Sequence, residues 1–366
     1  MKAIGIILAG GNNNRMKELT AKRAVPALPV AGSFRAIDFS LSSMSNSHIQ
    51  TVAILTQYNA RSLNEHLSSS KWWNFGRKQG GLFLFTPTVT ADNSDWYRGT
   101  ADAMYQNIDF LKRRHEPYVI ISSGDCVYKL DFNRVLDFHI EKKSDITVVC
   151  KDMMYNDDVS RFGVVRMDEE SRITEFDEKP IEASSNTIST GIYVIRRRQL
   201  IELLEAAAEE NRFDFVNDIL VRYKNVKKIY GYKINSYWNN IADIDAYFKT
   251  NMDFLRPDVR SYFFREEPTI CSKVDDLPPA KFNPGSDISN SLVSRSVEDS
   301  VLFKQVFVGK NTTVKNCVLL NDVYIGDNVH LENCIVESRG TINPNTCYCG
   351  EDGVMIVKEK NVRYVI

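Results

Sequence analysis

The chain has 366 residues, enough for more than one hydrophobic core, with 43% hydrophobic and 25% charged residues. A formal net charge of −1 gives no basic surface for DNA or RNA, so no nucleic-acid partner is expected. No apolar run approaches the roughly 18–20 residues that cross a bilayer, so no membrane partner is expected either.

Met1-Lys2-Ala3-Ile4 leads directly into a strand and lacks the regions of a signal peptide. The seven cysteines are odd in number and scattered, and the one close pair, Cys347-Tyr348-Cys349, lacks metal-site spacing and has no histidine near it in sequence. Reduced thiols and a cytoplasmic location are the expectation.

Apolar runs at Ala3–Leu8, 51–56, 81–86, 118–122, 146–150 and 191–195 alternate with amphipathic stretches across the first 256 residues. That is the pattern of strands joined by crossover helices, and several runs are apolar at consecutive positions, as in a parallel sheet covered on both faces. Within 101–111, Met104, Ile108 and Leu111 share one helical face. Functional residues are expected after the strands, at their carboxyl ends.

From Pro257 to residue 283 the pattern gives way to a stretch containing Pro268, Pro278 and Pro279, read as an inter-domain linker. Residues 284–366 then repeat with period 17. Val308-Gly309 matches Ile325-Gly326, Asn311 matches Asn328, Val314 matches Leu331, and Asn316-Cys317-Val318 matches Asn333-Cys334-Ile335. One period upstream, Val297, Asp299 and Val301 align with Val314, Asn316 and Val318. Apolar residues about six apart with small residues at corners describe a parallel β-helix of hexapeptides, its asparagines at turns and its cysteines inside.

Three segments carry chemistry. After the first strand, Leu8-Ala9-Gly10-Gly11 brings backbone amides to a phosphate, with Arg15 as a fixed cation, or else it is a tight turn. Gly124-Asp125 ends the 118–122 strand with a carboxylate that either holds Mg²⁺ against a nucleotide phosphate or caps the next segment. Glu178-Lys179-Pro180 offers a lysine to an anionic substrate, or belongs to a solvated charge cluster.

These segments form part of an ordered series. Arg35-Ala36-Ile37-Asp38-Phe39, Thr56-Gln57-Tyr58, Trp96-Tyr97-Arg98-Gly99-Thr100-Ala101-Asp102-Ala103, Phe162-Gly163-Val164, Ser189-Thr190-Gly191-Ile192-Tyr193, Tyr237-Trp238 and Leu277-Pro278-Pro279-Ala280-Lys281-Phe282 complete it. The series closely resembles bacterial glucose-1-phosphate adenylyltransferase (ADP-glucose pyrophosphorylase) over essentially the whole chain. The resemblance implies a Rossmann-like nucleotidyltransferase domain, a mostly parallel mixed sheet with helices on both faces, followed by a left-handed β-helix. It implies the reaction of ATP with glucose 1-phosphate to give ADP-glucose and pyrophosphate, helped by Mg²⁺ and basic groups. On it, Leu8, Ala9, Gly10, Gly11, Arg15, Gln57, Gly99 and Thr100 bind the nucleotide. Tyr97, Gly163, Glu178, Lys179, Ser189 and Tyr193 line the glucose 1-phosphate pocket, and Asp125 binds Mg²⁺.

The chain departs from that pattern at the reacting phosphates. The Gly-x-Arg tip is Asn13-Asn14-Arg15, the lysine of Arg-Ala-Lys-Pro is Val25, and the second metal-binding aspartate is Asn240. One lost electrostatic donor costs about 3–4 kcal/mol of barrier, and asparagine offers an oxygen without charge, leaving Mg²⁺ weakly held or vestigial. This asymmetry resembles the GlgD-type regulatory subunit, which implies a GlgC-type catalytic partner in a heterotetramer for glycogen synthesis. A fully active adenylyltransferase, or a non-enzymatic sugar-phosphate sensor, are the other readings.

Overall fold

A computed structural model describes residues 2–76, 80–89, 95–154, 158–274, 277, 288–289 and 297–358. The chain divides into two compact units. The first comprises Met1–Gly11, Ser40–Gly124 and Tyr128–Trp238; the second comprises Asn12–Phe39, Asp125–Val127 and the chain from Asn239 onward.

The first unit is built on a mixed, mostly parallel, Rossmann-like sheet. Its strands are β1 (Ala3–Leu8), β2 (Thr51–Leu55), β3 (Gly81–Phe85), β4 (Tyr118–Ser123), β5 (Ile146–Asp152), β6 (Gly163–Met167), β7 (Ile173–Glu178), β8 (Thr187–Arg196) and β9 (Ile229–Lys233). They run in the order β7-β6-β8-β4-β1-β2-β3, and β5 pairs with both β8 and β9. The β4-β1-β2-β3 neighbours and the β5-β9 pair are parallel, while β8 runs antiparallel to β4, β5 and β6. Ile6, Ile7, Val119, Ile120 and Ile121 are all buried. Consecutive residues on a strand point to opposite faces, so both faces are covered, as the apolar runs require.

The core on one face gathers Ile4, Ile6, Val119, Ile121, Val148 and Ile195 with Met104, Leu111, Leu200, Leu204 and Phe215. The helix read over 101–111 is interrupted: Thr100–Gln106 and Ile108–Lys112 flank Asn107, whose φ of −108° and ψ of 20° leave the helix. Met104, Ile108 and Leu111 nonetheless reach the common core. Three strands escaped the apolar-run criterion, β6, β7 and β9, because glycine, tyrosine or charged residues break their apolar runs.

In the second unit the period of 17 becomes a stack of coils with three all-parallel sheets. Val297, Val314, Leu331 and Tyr348 pair in one ladder, Val318, Ile335 and Ile356 continue another from Val301, and Val308, Ile325 and Ile342 form the third. Val297, Val314, Leu331, Ile325 and Ile342 fill one core with Cys317 and Cys334, and the second ladder contributes Leu302, Leu319, Val336 and Val357, the neighbours of the residues just named. Asn311, Asn328 and Asn345 all hold positive φ at the corners, where asparagine tolerates the left-handed region. Their amides also form a ladder, Asn311 to Asn328 at 3.3 Å and Asn328 to Asn345 at 3.0 Å.

Two details add to the sequence reading. Pro257 opens an α-helix, Pro257–Phe264, so the stretch read as linker begins with regular structure. The reason is positional: proline at the first helical residue loses no hydrogen bond. Cys347 and Cys349 are not core residues, because Tyr348 between them takes the inward position and turns both thiols outward. Pro278, Pro279, Ala280, Lys281 and Phe282 of the last motif lie outside the described residues, as does Pro284.

Candidate active site

In the first unit the glycine-bearing turn leaves the carboxyl end of β1. The Ala9 amide donates to Leu55 O at 2.8 Å, carrying the chain past the end of β2. A Cβ on Gly10 would lie 3.2 Å from both the Cβ and the backbone N of Gln57, so the close passage favours glycine. A Cβ on Gly11 would meet nothing within 4 Å, so no protein atom crowds that backbone.

Gln57 is engaged at both ends of its amide. It accepts from Tyr97 N at 2.7 Å and donates to Tyr97 O at 3.3 Å. The side chain therefore fastens the Trp96-Tyr97 segment beside the β2 terminus. Next to it the exposed rings of Tyr58 and Trp96 stack, with centroids 5.7 Å apart and planes at 14°. Sequence reasoning quoted both aromatics without seeing that Gln57 would bring them together. Tyr97 Oη accepts from Asn107 Nδ2 at 2.9 Å, and burial pushes its phenol above the ordinary range.

Gly99 and Thr100 hold a junction with the 213–215 segment. A Cβ on Gly99 would stand 2.3 Å from Phe213 O, a clash no relaxation removes cheaply. Thr100 Oγ1 donates to Asp214 Oδ2 at 3.3 Å and accepts from Phe215 N at 2.8 Å.

Across the sheet, Gly163 of β6 pairs with Glu178 of β7. A Cβ there would stand 2.9 Å from the Phe176 ring and 3.0 Å from Glu178 Oε2, so the glycine leaves room for that carboxylate. Lys179 Nζ reaches Glu178 Oε1 at 3.0 Å, with the lysine 65% exposed and the glutamate 17%. Lys179 has φ +50°, an unfavourable region for a side-chain-bearing residue. Its amide donates to Phe162 O at 3.1 Å, which helps hold that conformation.

Ser189 and Tyr193 lie on β8, on either side of an irregularity where Gly191 adopts φ +74°. Ser189 Oγ donates to Tyr193 Oη at 3.3 Å, both residues are buried, and burial raises the Tyr193 phenol well above its usual range.

The second unit carries Asn13, Arg15, Val25, Asp125 and Asn240. Asn13 accepts from Arg15 N at 3.0 Å through Oδ1 and donates to Ala242 O at 2.5 Å through Nδ2. It thereby caps the short helical segment Asn14–Thr20 and ties it to the chain after Asn240. The exposed Arg15 is the second residue of that segment. Val25 starts a 3₁₀ turn, Val25–Ala27, and is buried. Asp125 O accepts from Ile241 N at 2.9 Å, and Asn240 Nδ2 donates to Cys126 Sγ at 3.3 Å. Asp125 and Asn240, 115 positions apart by their numbers, are thus brought to neighbouring backbone. Burial pushes the Cys126 thiol well up, with the Asp125 charge adding to it, so Cys126 stays protonated.

Comparisons with known proteins give the family. Residues 4–256 match the family described as "Nucleotidyl transferase", and 278–356 match "GlmU-like, C-terminal hexapeptide". The chain is 38% identical over 365 residues to the "Glucose-1-phosphate adenylyltransferase" of Geobacillus stearothermophilus, covering 97% of this chain and 94% of the relative. Proteins of the same name from Pseudothermotoga lettingae and Clostridium novyi are 38% and 37% identical. Those matches cover 86% and 85% of this chain, and 76% and 84% of the relatives. With its mixed sheet, its stacked hexapeptide coils and this likeness along nearly all its length, the chain belongs to the glucose-1-phosphate adenylyltransferase family of nucleotidyl transferases.

Proposed function

We propose that this chain is a regulatory, catalytically deficient subunit of ADP-glucose pyrophosphorylase. It modulates a GlgC-type catalytic partner in a cytoplasmic heterotetramer serving bacterial glycogen synthesis. The observation that carries the reading is the state of Val25 and Asn240, where the family resemblance implies a lysine and an aspartate. Val25 is an apolar core residue with no charge to offer a phosphate. The Asn240 amide is spent on Cys126 Sγ.

Asp125 and Asn240 would offer Mg²⁺ one charge instead of two, which suits a weakly held ion. When bound, Mg²⁺ would neutralise charge on nucleotide phosphates. Gly10 and Gly11 would hold a nucleotide, with Gln57 supporting the Tyr58–Trp96 stack for its base. On the sugar-phosphate side, Lys179 and Glu178 keep both their charges, offering a cation for a phosphate and a carboxylate for sugar hydroxyls. A frame able to bind and poorly able to react is what a regulatory subunit needs.

The test is ADP-glucose formation from ATP and glucose 1-phosphate by the purified chain, alone and mixed with a GlgC-type subunit. Negligible turnover alone, with a changed rate or affinity in the mixture, is the expected result. Robust turnover by the lone chain overturns the reading.

A further inference from the structure

The outer face of the β-helix carries a group of metal-ligating side chains that the adenylyltransferase chemistry does not use. Strand His330–Glu332 lies beside Cys347–Cys349 in parallel register, His330 next to Cys347 and Glu332 next to Cys349. Leu331 and Tyr348 take the inward positions, so the alternation of the strands turns all four remaining side chains to the same outer face.

The ligand atoms of His330, Glu332 and Cys349 all lie within 4.8 Å of one another. Cys347 Sγ is 3.6 Å from Cys349 Sγ, and His330 Nε2 is 3.7 Å from Glu332 Oε2. In a tetrahedral zinc site with bonds of about 2.0–2.3 Å, ligand atoms stand roughly 3.3–3.8 Å apart. The thiol pair and the His–Glu pair already have that spacing, and rotation of exposed or half-buried side chains closes the remaining distances.

We propose that His330, Glu332, Cys347 and Cys349 form a binding site for a thiophilic divalent cation, Zn²⁺ by its chemistry, clasping two successive coils of the β-helix. Two sulfur donors and an imidazole select against Mg²⁺ and Ca²⁺, which take oxygen ligands. The ligands come from rigid, parallel strands in fixed register, so little ordering is needed on binding. Lys315, one coil earlier, lies 3.9 Å from Glu332 Oε1 and competes for that carboxylate, so ligation exchanges this ion pair for a metal bond. None of the four residues is assigned to the nucleotide or the sugar phosphate, so the proposal does not depend on the regulatory reading.

Cys347-x-Cys349 alone has no standard metal spacing, and His330 is 17 positions away from Cys347. Only the stacking of coils makes them neighbours.

The experiment is titration of the full chain with Co²⁺ as the probe, after chelation and reduction with a phosphine. One equivalent is expected to produce a thiolate-to-cobalt charge-transfer band with tetrahedral ligand-field absorption, and Zn²⁺ should displace it. Cys347→Ser with Cys349→Ser should abolish the band, His330→Ala should weaken binding by at least about tenfold, and Cys271→Ser should leave it unchanged. Absence of the charge-transfer band in the unaltered chain overturns the proposal. So does a band that survives the double serine variant. A denaturation curve for each variant identifies loss of fold as the cause of any loss of binding, and His330→Ala, at a half-buried position on the outer face, gives an independent reading.

Discussion

Arg23 and Glu337, 314 positions apart, form an ion pair at 2.6 Å within the second unit. The guanidinium also donates to Ser338 Oγ at 3.3 Å, and Glu337 Oε1 accepts from Ser338 N at 2.9 Å. Glu337 is buried and its carboxylate extends from the end of strand Cys334–Val336, so the segment leading to Val25 is anchored on the β-helix. Tyr247, which donates to Pro29 O at 2.6 Å, fastens the same segment a few residues later.

Removing one member of this pair leaves the other charge half-buried and unpaired. Glu337→Ala should therefore destabilise the second unit by about 2–3 kcal/mol, toward the low end for buried pairs because Arg23 retains some solvent. The double variant Arg23→Met with Glu337→Leu should lose less than Glu337→Ala alone. Denaturant unfolding of the three chains checks both statements; equal losses in all variants would show that the charges are not coupled.

Under the proposed function, changes at Asn240, Asn13 and Val25 should not be equally tolerated. Asn240→Asp adds a carboxylate near Asp125 and should lower the Mg²⁺ or Mn²⁺ concentration needed for binding, measured by calorimetry. Asn13→Gly instead discards the cap on Arg15 N and the bond to Ala242 O, so a loss of about 1 kcal/mol or more of stability is expected. Val25→Lys forces an ammonium into a buried position, where it must reach solvent to stay charged. The triple change should gain activity only where the stability loss leaves the chain folded, so activity and unfolding are to be measured on the same preparations.

Protonation of His139 supplies a pH dependence in the first unit. Its ring is buried, Nδ1 lies 2.8 Å from Thr147 Oγ1, and Nε2 has no hydrogen-bond partner among the described residues. Burial, and secondarily the Arg196 charge, lowers its pKa from 6.5 to about 4, against a smaller opposing effect of Asp145. The folded chain therefore resists protonation that the unfolded chain accepts. The stability is fully present above about pH 6.5 and is lost as pH falls toward about 4, by roughly 3 kcal/mol at most for this group. His139→Gln should flatten that part of the stability–pH curve, and an unchanged slope would assign it to other groups.

Legibility in the sequence followed the range of the interactions. The β-helix was readable because its period puts matching residues such as Val297, Val314 and Leu331 into direct register, so local repetition is also spatial contact. The parallel strands were readable because burial on both faces leaves unbroken apolar runs such as Ala3–Leu8. β6 and β7 were not, since their alternation carries Arg166, Glu175 and Asp177. The role of Asn13 depends on Ala242, 229 positions away, and on its cap of the Arg15 amide. His330 beside Cys347 was hidden for the same reason: spacing along one strand says nothing of the next coil.

Lys179 separates binding from stability most directly. It sits at φ +50° and is largely exposed, with its ammonium 3.0 Å from Glu178. A glycine adopts that backbone without strain, so Lys179→Gly should leave stability unchanged or raise it by about 0.5–1 kcal/mol. The same change removes the cation offered to a sugar phosphate, so glucose 1-phosphate affinity should fall by at least about tenfold, the loss typical of one charge-assisted bond. Lys179→Arg keeps the charge and should retain most of the affinity. A residue kept in a strained conformation for its charge predicts this opposition; loss of stability without loss of affinity would make Lys179 a structural residue instead.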